Sequence, residues 1–347
     1  MSVTIADVAK LANVGAGTVS RVLNGSKSVS EETRAQVLAC IQQLGYRPNL
    51  VARGLAAKRT GMVAAIIPSI GYTQHAEAIQ GLSDFLHEHG LRLMIGHCGY
   101  SAENEARIVS DFLERRPDAF YLTGTSHTAD TRRMLRQSGI PVVEAANLTD
   151  DPIDCVVGYD NFDAARQVVH LLHARGHRNI AVATSLHDPN DRTAARRDGY
   201  LAACADLGID MTERLIACTN SFAGGAAAVA QVARLSPAID LLVCVTDVIA
   251  VGAILECQRR GIAVPGQLGV CGFDDLPIAA AINPALTTIG VDRVGMGRTA
   301  GQVLLQRLGG AAAMSGSVDV GFDIREHAST RSEISAPGEG ATKELRE

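Results

Sequence analysis

Tryptophan is absent from the 347-residue chain and aromatics together make up 4%, so the core has to be built from Ala, Val, Leu and Ile. Paired cysteines are missing as well. The eight cysteines stand singly with no C-x-x-C among them, which argues against a zinc site or a disulfide framework and for reduced thiols in a cytoplasmic protein. No apolar run reaches the length of a membrane span. The opening MSVTIADVAKLA carries Asp7 and Lys10 within its apolar stretch and has neither the h-region nor the cleavage site of a secretory signal, which disfavours an exported solute-binding protein. Catalytic signatures are absent too: no Gly-x-Ser-x-Gly elbow, no Gly-x-x-x-x-Gly-Lys loop and no His-Glu-x-x-His, so an α/β enzyme would lack its nucleophile–base pair.

A net charge of −5 is a poor match for a polyanion, but that charge is unevenly placed. Residues 1–60 hold eight Lys/Arg (Lys10, Arg21, Lys27, Arg34, Arg47, Arg53, Lys58, Arg59) against three acids (Asp7, Glu31, Glu32), while the rest of the chain is acidic. A basic head on an acidic body implies that only the head meets nucleic acid.

The head reads as three short helices. IADVAKLA puts Ile5, Val8, Ala9 and Ala12 on one face; after a turn at 13–15, Thr18, Val19, Val22 and Leu23 continue the pattern until Asn24 and Gly25 stop it. Ser30 caps a third helix with Glu31 and Glu32 in its first turn, Val37, Leu38, Ile41 and Leu44 inward, and Gly45 at its end. Two helices across a tight turn with a third closing the core is helix-turn-helix architecture. The glycines of NVGAGTVS do not make a dinucleotide loop: Ser20 stands where the third glycine belongs, and a helix rather than a strand precedes them. Thr18, Ser20 and Arg21 instead supply donors at the start of a recognition helix.

The expected organisation is a helix-turn-helix domain over 1–46, a conditionally helical linker over 47–60, an α/β core over 61–330 and a polar, disordered tail over 331–347. In the core, MVAAIIP, LRLMIGH, DAFYLTG, IPVVEAA, CVVGYD, NIAVATS, LIACT, IDLLVCVTD and LGVCGFDD alternate with helical segments such as AARQVVHLLHARG and AVGAILECQRRG. Nine near-continuous apolar strands separated by helices imply doubly wound parallel sheets in two lobes facing a cleft. Polar residues gather where strands end, at Ser69, 123–127 (Thr125 and His127 among them), Tyr159 and Asp160, Thr246 and Asp247, and 273–275. Ligands of such sheets bind at the carboxyl ends of strands, so these clusters outline one site.

At VSRVLN, VSEETR, LGYRPN and VARGLA the head and linker closely resemble the lactose-repressor (LacI/GalR-type) family of bacterial transcription regulators, and GHRNIAVA, GYLAAC, CVTDVIAVGA, VCGFDD and PALTTI extend the likeness over nearly the whole chain. The resemblance implies a helix-turn-helix head, a hinge helix and a two-lobed, periplasmic-binding-protein-like sugar-binding core that forms a homodimer. It places Thr4, Thr18, Ser20, Arg21, Asn24, Ser30, Thr33, Asn49 and Ala52 at the DNA, Ala16 and Gly17 at the bases, and Leu55 as a wedge in the minor groove. Where the family usually has serine, Gly15 stands here, and positions 16 and 17 are commonly larger and polar. Direct readout there is therefore weak, and Arg21 or DNA deformability carries more of the specificity.

In the cleft the resemblance assigns effector contacts to Arg196, Asp247 and Asp274. Read from the residues alone, Asp247 could equally cap the next helix and Arg196 could be a surface charge. Gln74 and His75 replace the aromatics that often follow the first core strand, which favours a polyol or sugar acid over a purine; Phe222 supplies the displaced aromatic of NSFAGG, beside polar Asn220. GYSAENEARIV, LTGTSHTADTRRML, SGIPVVEAAN and VVGYDNFDAARQV resemble the gluconate-utilisation repressor branch, which implies gluconate or a close aldonate as inducer and makes His127 a ligand candidate or a loop residue. The pairs His87/His89 and His170/His173 lack the partners of a metal site, and no cofactor is expected. The expectation is a cytoplasmic, nucleoid-associated repressor released from operator DNA by a sugar acid. The alternatives are the same regulator answering another sugar or sugar phosphate, or a sugar-binding protein without DNA function.

Overall fold

A computed structural model describes residues 3–23, 25–26, 28–47, 59–185, 190–310 and 316–331. Contacts divide the chain into two units, Met1–Thr60 and Gly61–Glu347. Most of the expected hinge, with Asn49, Ala52 and Leu55, lies outside the described residues, as do Asn24 and the expected tail beyond Arg331. Arg331 itself belongs to the core: its amide donates to His177 Nε2 at 3.3 Å and its guanidinium to the Gly176 carbonyl at 3.3 Å.

In the first unit, α1 (Ile5–Leu11) starts at a capping box in which the Thr4 hydroxyl accepts from the Asp7 amide and the Asp7 carboxylate accepts from the Thr4 amide. The second helix, α2 (Ala16–Leu23), begins after Gly15, whose carbonyl accepts from Thr18 and Val19. Ser30 caps α3 (Glu31–Leu44), which ends at Gly45 in the left-handed conformation, φ 58°. Val8, Ala9, Ala12, Val19, Val22, Val37 and Cys40 form the core. Leu38 departs from expectation: it is 49% exposed and Cys40 is inward instead. Three residues on from Val37 returns to the buried face, whereas one residue on turns about 100° away from it.

The second unit runs β1 (Met62–Ile67), α4 (Thr73–Glu88), β2 (Arg92–His97), α5 (Ala102–Glu114), β3 (Ala119–Thr123), α6 (Ala129–Ser138), β4 (Val142–Ala145), β5 (Cys155–Gly158), α7 (Asn161–Ala174), β6 (Ile180–Thr184), α8 (Asp191–Asp206), β7 (Leu215–Ala217), α9 (Phe222–Val232), β8 (Leu241–Cys244), α10 (Asp247–Arg260), β9 (Gly269–Cys271), α11 (Pro277–Ala281), β10 (Thr288–Gly290), α12 (Arg293–Leu308), β11 (Ser317–Asp319) and β12 (Asp323–Arg325). Two parallel sheets result, ordered β11-β5-β4-β3-β1-β2 and β7-β6-β8-β9, with β10 and β12 as a separate antiparallel pair. Strands β3 to β6 and β8 are buried along nearly their whole length, as sheets covered by helices on both faces require. The chain leaves the first lobe after β5, returns through α12, and crosses again between β11 and β12. Strands from both lobes end at the same cleft.

Helices α4 and α12 pack so closely that a Cβ on Gly81 would lie 2.1 Å from the Val294 carbonyl oxygen and one on Gly297 2.0 Å from that of Ala78. The obstacle is backbone, which cannot swing aside. Gly297→Ala and Gly81→Ala are each expected to lower stability by roughly 1–3 kcal/mol or more through overpacking, read as a fall in the urea midpoint. A midpoint equal to wild type would show that the helices part without cost.

Candidate functional site

On the head, α2 presents a bare leading edge. Ala16 and Gly17 are exposed, and a Cβ added at Gly15 or Gly17 would meet nothing within 4 Å, so the fold itself does not demand glycine there. Arg21 bends back over this edge, its Nε donating to the Gly17 carbonyl at 3.2 Å and its Nη2 to the Thr18 hydroxyl at 3.3 Å. Thr4 and Ser30 each cap a helix, and Thr33 accepts from the Ser30 hydroxyl at 2.9 Å. Their hydroxyls therefore sit at helix N-termini, where backbone amides and the helix dipole favour a phosphate. Ser20 is half-buried on the same helix as Arg21.

The cleft encloses a cavity of about 530 Å³, mouth included, whose lining comes from both lobes. Gln74 and His75 reach it from the start of α4, Tyr121 and Thr123 from the end of β3, Tyr159 from the end of β5, and Asn190, Arg192, Thr193 and Arg196 from the start of α8. Asn220, Thr246 and Asp274 follow strand ends of the second lobe, and Arg293 and Met296 lie on α12.

Arg196 is the hub. It is 4% exposed, and its Nε donates to Asn161 Oδ1 (2.9 Å), Nη1 to the Val245 carbonyl (2.9 Å), and Nη2 to the Tyr159 hydroxyl (3.1 Å). Nη1 also lies 3.0 Å from Asp274 Oδ1, and the guanidinium stacks 3.7 Å above the Phe273 ring. Burial disfavours its charge, but Asp274 and the surrounding phenols outweigh this and hold it protonated. Asp274 is held in the left-handed region, φ 117°, by its amide bonded to Ile289 and its carbonyl accepting from Arg293 Nη1. Such strain in a non-glycine residue persists where the surroundings fix it, commonly at a working site.

Two acceptors in the cavity are buried without a hydrogen-bond partner among the described residues: Asp274 Oδ2 and Gln74 Oε1. Buried acceptors left unpaired cost free energy. Around them stand three guanidiniums, each tied to a carboxylate: Arg192 to Asp191 at 2.7 Å, Arg196 to Asp274, and Arg293 to Glu77 at 2.8 Å. His75 donates or accepts across 3.2 Å to the Tyr100 hydroxyl. Burial first, and then the three arginines, push its pKa down to about 3, so the ring is neutral at physiological pH. The same positive potential that keeps His75 uncharged favours an anion in its neighbourhood.

Of the effector contacts expected from sequence, Gln74, His75, Arg196 and Asp274 line this cavity; the other five do not. Asp160 is exposed and caps α7. Phe222 is 53% exposed at the start of α9, and its neighbour Asn220 reaches the cavity in its place, accepting from the Thr246 hydroxyl at 2.7 Å. Asp247 is buried beneath the cavity, where Oδ1 accepts from the Thr288 hydroxyl (2.6 Å) and Oδ2 from the Leu276 amide (2.8 Å). It is not the helix cap either, since Thr246 caps α10. Burial, with the Asp274 charge behind it, raises its pKa to about 7. Thr125 faces Asp191, donating amide and hydroxyl to Oδ2 at 2.8 and 3.0 Å.

His127 lies inside the first lobe with its side chain fully buried, Nδ1 2.7 Å from Glu105 Oε1 and Nε2 3.3 Å from Glu144 Oε1. It stands outside the cavity lining, and its buried side chain does not make it a surface loop residue. Among the described residues no cluster of three or more His, Cys, Asp or Glu has the geometry of a metal site, and no helix is long and apolar enough to cross a membrane.

Arg192 and Arg293 are cavity-lining cations that the sequence reading misses. Arg192 lies four residues before Arg196, on the same helical face, and that spacing was a usable signal. Arg293 arrives from a helix far along the chain and has no local signal.

Residues 4–49 match the model for "Bacterial regulatory proteins, lacI family" and residues 60–330 that for "Periplasmic binding proteins and sugar binding domain of LacI family". Over 318 residues the chain is 33% identical to the HTH-type transcriptional regulator GntR of Escherichia coli, covering 92% of this chain and 96% of that protein. A solved LacI-family regulator from Silicibacter pomeroyi superposes with a TM-score of 0.85 at 30% identity, over 94% of this chain and 99% of the other. The solved regulator GntR of Chromobacterium violaceum gives 0.72 at 33% identity, over 78% of this chain and 99% of the other. These matches are to transcriptional regulators, not to enzymes.

Proposed function

The chain belongs to the LacI family of DNA-binding transcriptional regulators, and from that membership we propose that it is a homodimeric repressor of sugar-acid catabolism, acting on operator DNA in the cytoplasmic nucleoid and released by gluconate or a close aldonate. The observation that carries the effector reading is the pair of unpartnered buried acceptors, Asp274 Oδ2 and Gln74 Oε1, set among three guanidiniums. An aldonate offers both halves of the match. Its hydroxyls donate to the two acceptors, and its carboxylate takes a charge-assisted contact from an arginine. A neutral hexose satisfies only the first requirement. The kinship with GntR regulators supports the same class.

On the DNA side, Ala16 and Gly17 let the start of α2 approach base edges closely, with Arg21 as the reach into the groove and the capped starts of α1 and α3 at phosphates. Arg21 is released from Gly17 and Thr18 when it turns to the duplex. Effector binding favours a closed cleft, and a closed cleft favours the head arrangement that leaves DNA. Such coupling typically amounts to about 1–3 kcal/mol.

Operator affinity measured at one fixed salt concentration with and without gluconate tests this. Gluconate is expected to weaken binding roughly 5–150-fold, the range that coupling implies. Affinity is also expected to fall steeply with added salt, because the head binds through phosphates. An operator affinity indifferent to gluconate would remove the aldonate reading and leave the DNA-binding one standing.

A further inference from the structure

We propose that Asp191 is the latch that holds the two lobes together and that, by the same contact, it positions Arg192 for the anionic end of the effector; the second half rests on the aldonate reading above. Asp191 opens α8 in the second lobe, yet Oδ2 accepts three hydrogen bonds from the first: the Thr125 amide (2.8 Å), the Thr125 hydroxyl (3.0 Å) and Asn147 Nδ2 (3.1 Å). Oδ1 accepts from Arg192 Nη1 at 2.7 Å. One carboxylate thus spends one oxygen on closure and the other on a guanidinium that lines the cavity. Burial alone would raise its pKa; Arg192, Thr125 and Asn147 outweigh that and hold it below the usual carboxylate range, so the acceptor stays ionised.

The surroundings are built to this contact. Gly124 sits at φ +98°, and a Cβ there would lie 2.5 Å from Arg192 Nη1 and 2.9 Å from Asp191 Oδ1. Both the backbone conformation and the space call for glycine where the first lobe meets the pair. The loop bearing Thr125 is braced from behind by His127 on Glu105. Asn147 continues the connection, its Oδ1 accepting from Asn161 Nδ2 at 3.1 Å, while Asn161 Oδ1 accepts from Arg196. Opening the cleft therefore breaks three bonds to Asp191 and leaves the carboxylate that holds Arg192 without its anchor in the first lobe. Asp191 is a positioning residue: it touches no effector atom and acts through Arg192.

Two readouts on the intact protein separate the halves of this proposal. Amide exchange in residues 122–128 of the ligand-free protein is expected to rise at least tenfold in Asp191→Ala, with strands β6 and β8 unchanged. Calorimetric titration with gluconate is expected to show at least tenfold weaker binding in Asp191→Ala and a smaller loss in Thr125→Val, with Thr125→Ser within twofold of wild type. Gly124→Ala, which displaces the pair without removing a charge, is expected to reproduce both effects and stands in if Asp191→Ala does not fold. Unchanged exchange overturns the latch; faster exchange with unchanged gluconate affinity overturns the positioning role. If wild type fails to bind gluconate, the effector reading falls, and the exchange experiment alone decides the latch.

Discussion

Arg196→Met is expected to lower the unfolding free energy by about 3–5 kcal/mol and to abolish the response to gluconate, because it strips a buried carboxylate of its counter-charge. Methionine fills much of the volume but makes none of the polar contacts. Asp274, 2% exposed, would then be left with its charge uncompensated, and Asn161 Oδ1, the Val245 carbonyl and the Tyr159 hydroxyl would each lose a donor. The double variant Arg196→Met/Asp274→Asn removes both charges. It is expected to recover part of the stability, since the large penalty comes from one charge left alone rather than from loss of the pair. It should not recover the gluconate response, because the guanidinium is gone and the carboxylate is replaced by a neutral amide, a weaker acceptor. Urea unfolding of the three proteins at one pH measures the first effect, and operator release by gluconate the second. A single variant within about 1 kcal/mol of wild type, well short of the cost of a lone buried charge, would mean that solvent reaches Asp274 and that the hub is not closed.

Why the architecture was readable in the residues while only part of the cleft was follows from range. Strands β1 to β9 are apolar runs bounded by turns, and each declares itself within a few residues. β10, β11 and β12 are three residues each, β10 fully buried and β11 and β12 exposed at both ends, and each is too short for a periodicity to stand out from the sequence around it. The same holds in the cleft. Arg196 and Asp274 follow from motif position, and Gln74 and His75 from the loop after the first core strand. Arg293 meets Asp274 only because the chain crosses back into the first lobe as α12, a fact of topology that no window of sequence contains. Thr125 and His127 sit in a polar cluster after β3 that points to the cleft region correctly, but their side chains turn to the other lobe and to the interior respectively. Proximity to strand ends locates a site; the direction of each side chain depends on partners distant in the chain, such as Asp191 and Glu144.

His127 gives the second large effect, a pH dependence of stability whose sign is fixed by its surroundings. Burial opposes charge on the ring, but the hydrogen bond to Glu105 and the carboxylates of Glu105 and Glu144 beside it outweigh this and raise the pKa from 6.5 to about 9. Arg132 Nη1, 3.9 Å from Glu144 Oε1, is the other cation on that carboxylate. The folded protein therefore keeps a proton that the unfolded chain gives up above pH 6.5. The stabilisation is complete below pH 6.5, declines as pH rises, and is gone above about 9; so large a gain in proton affinity on folding is worth about 3 kcal/mol. His75 works on the acid side, since its pKa of about 3 means that folding favours the neutral ring and stability falls as pH drops below 6.5. Asp247, raised to about 7, loses its contribution as pH climbs from 3.8 to 7 and so overlaps with His75. The test is accordingly a difference between proteins rather than one profile. Urea midpoints of wild type and His127→Gln at about pH 6.5 and about pH 9.5 are expected to differ widely at the lower pH and to converge at the higher, because glutamine offers Glu105 and Glu144 no ring charge at either pH whereas wild type loses its own between them. A gap that stays constant between the two pH values would show that the ring is neutral in the native protein.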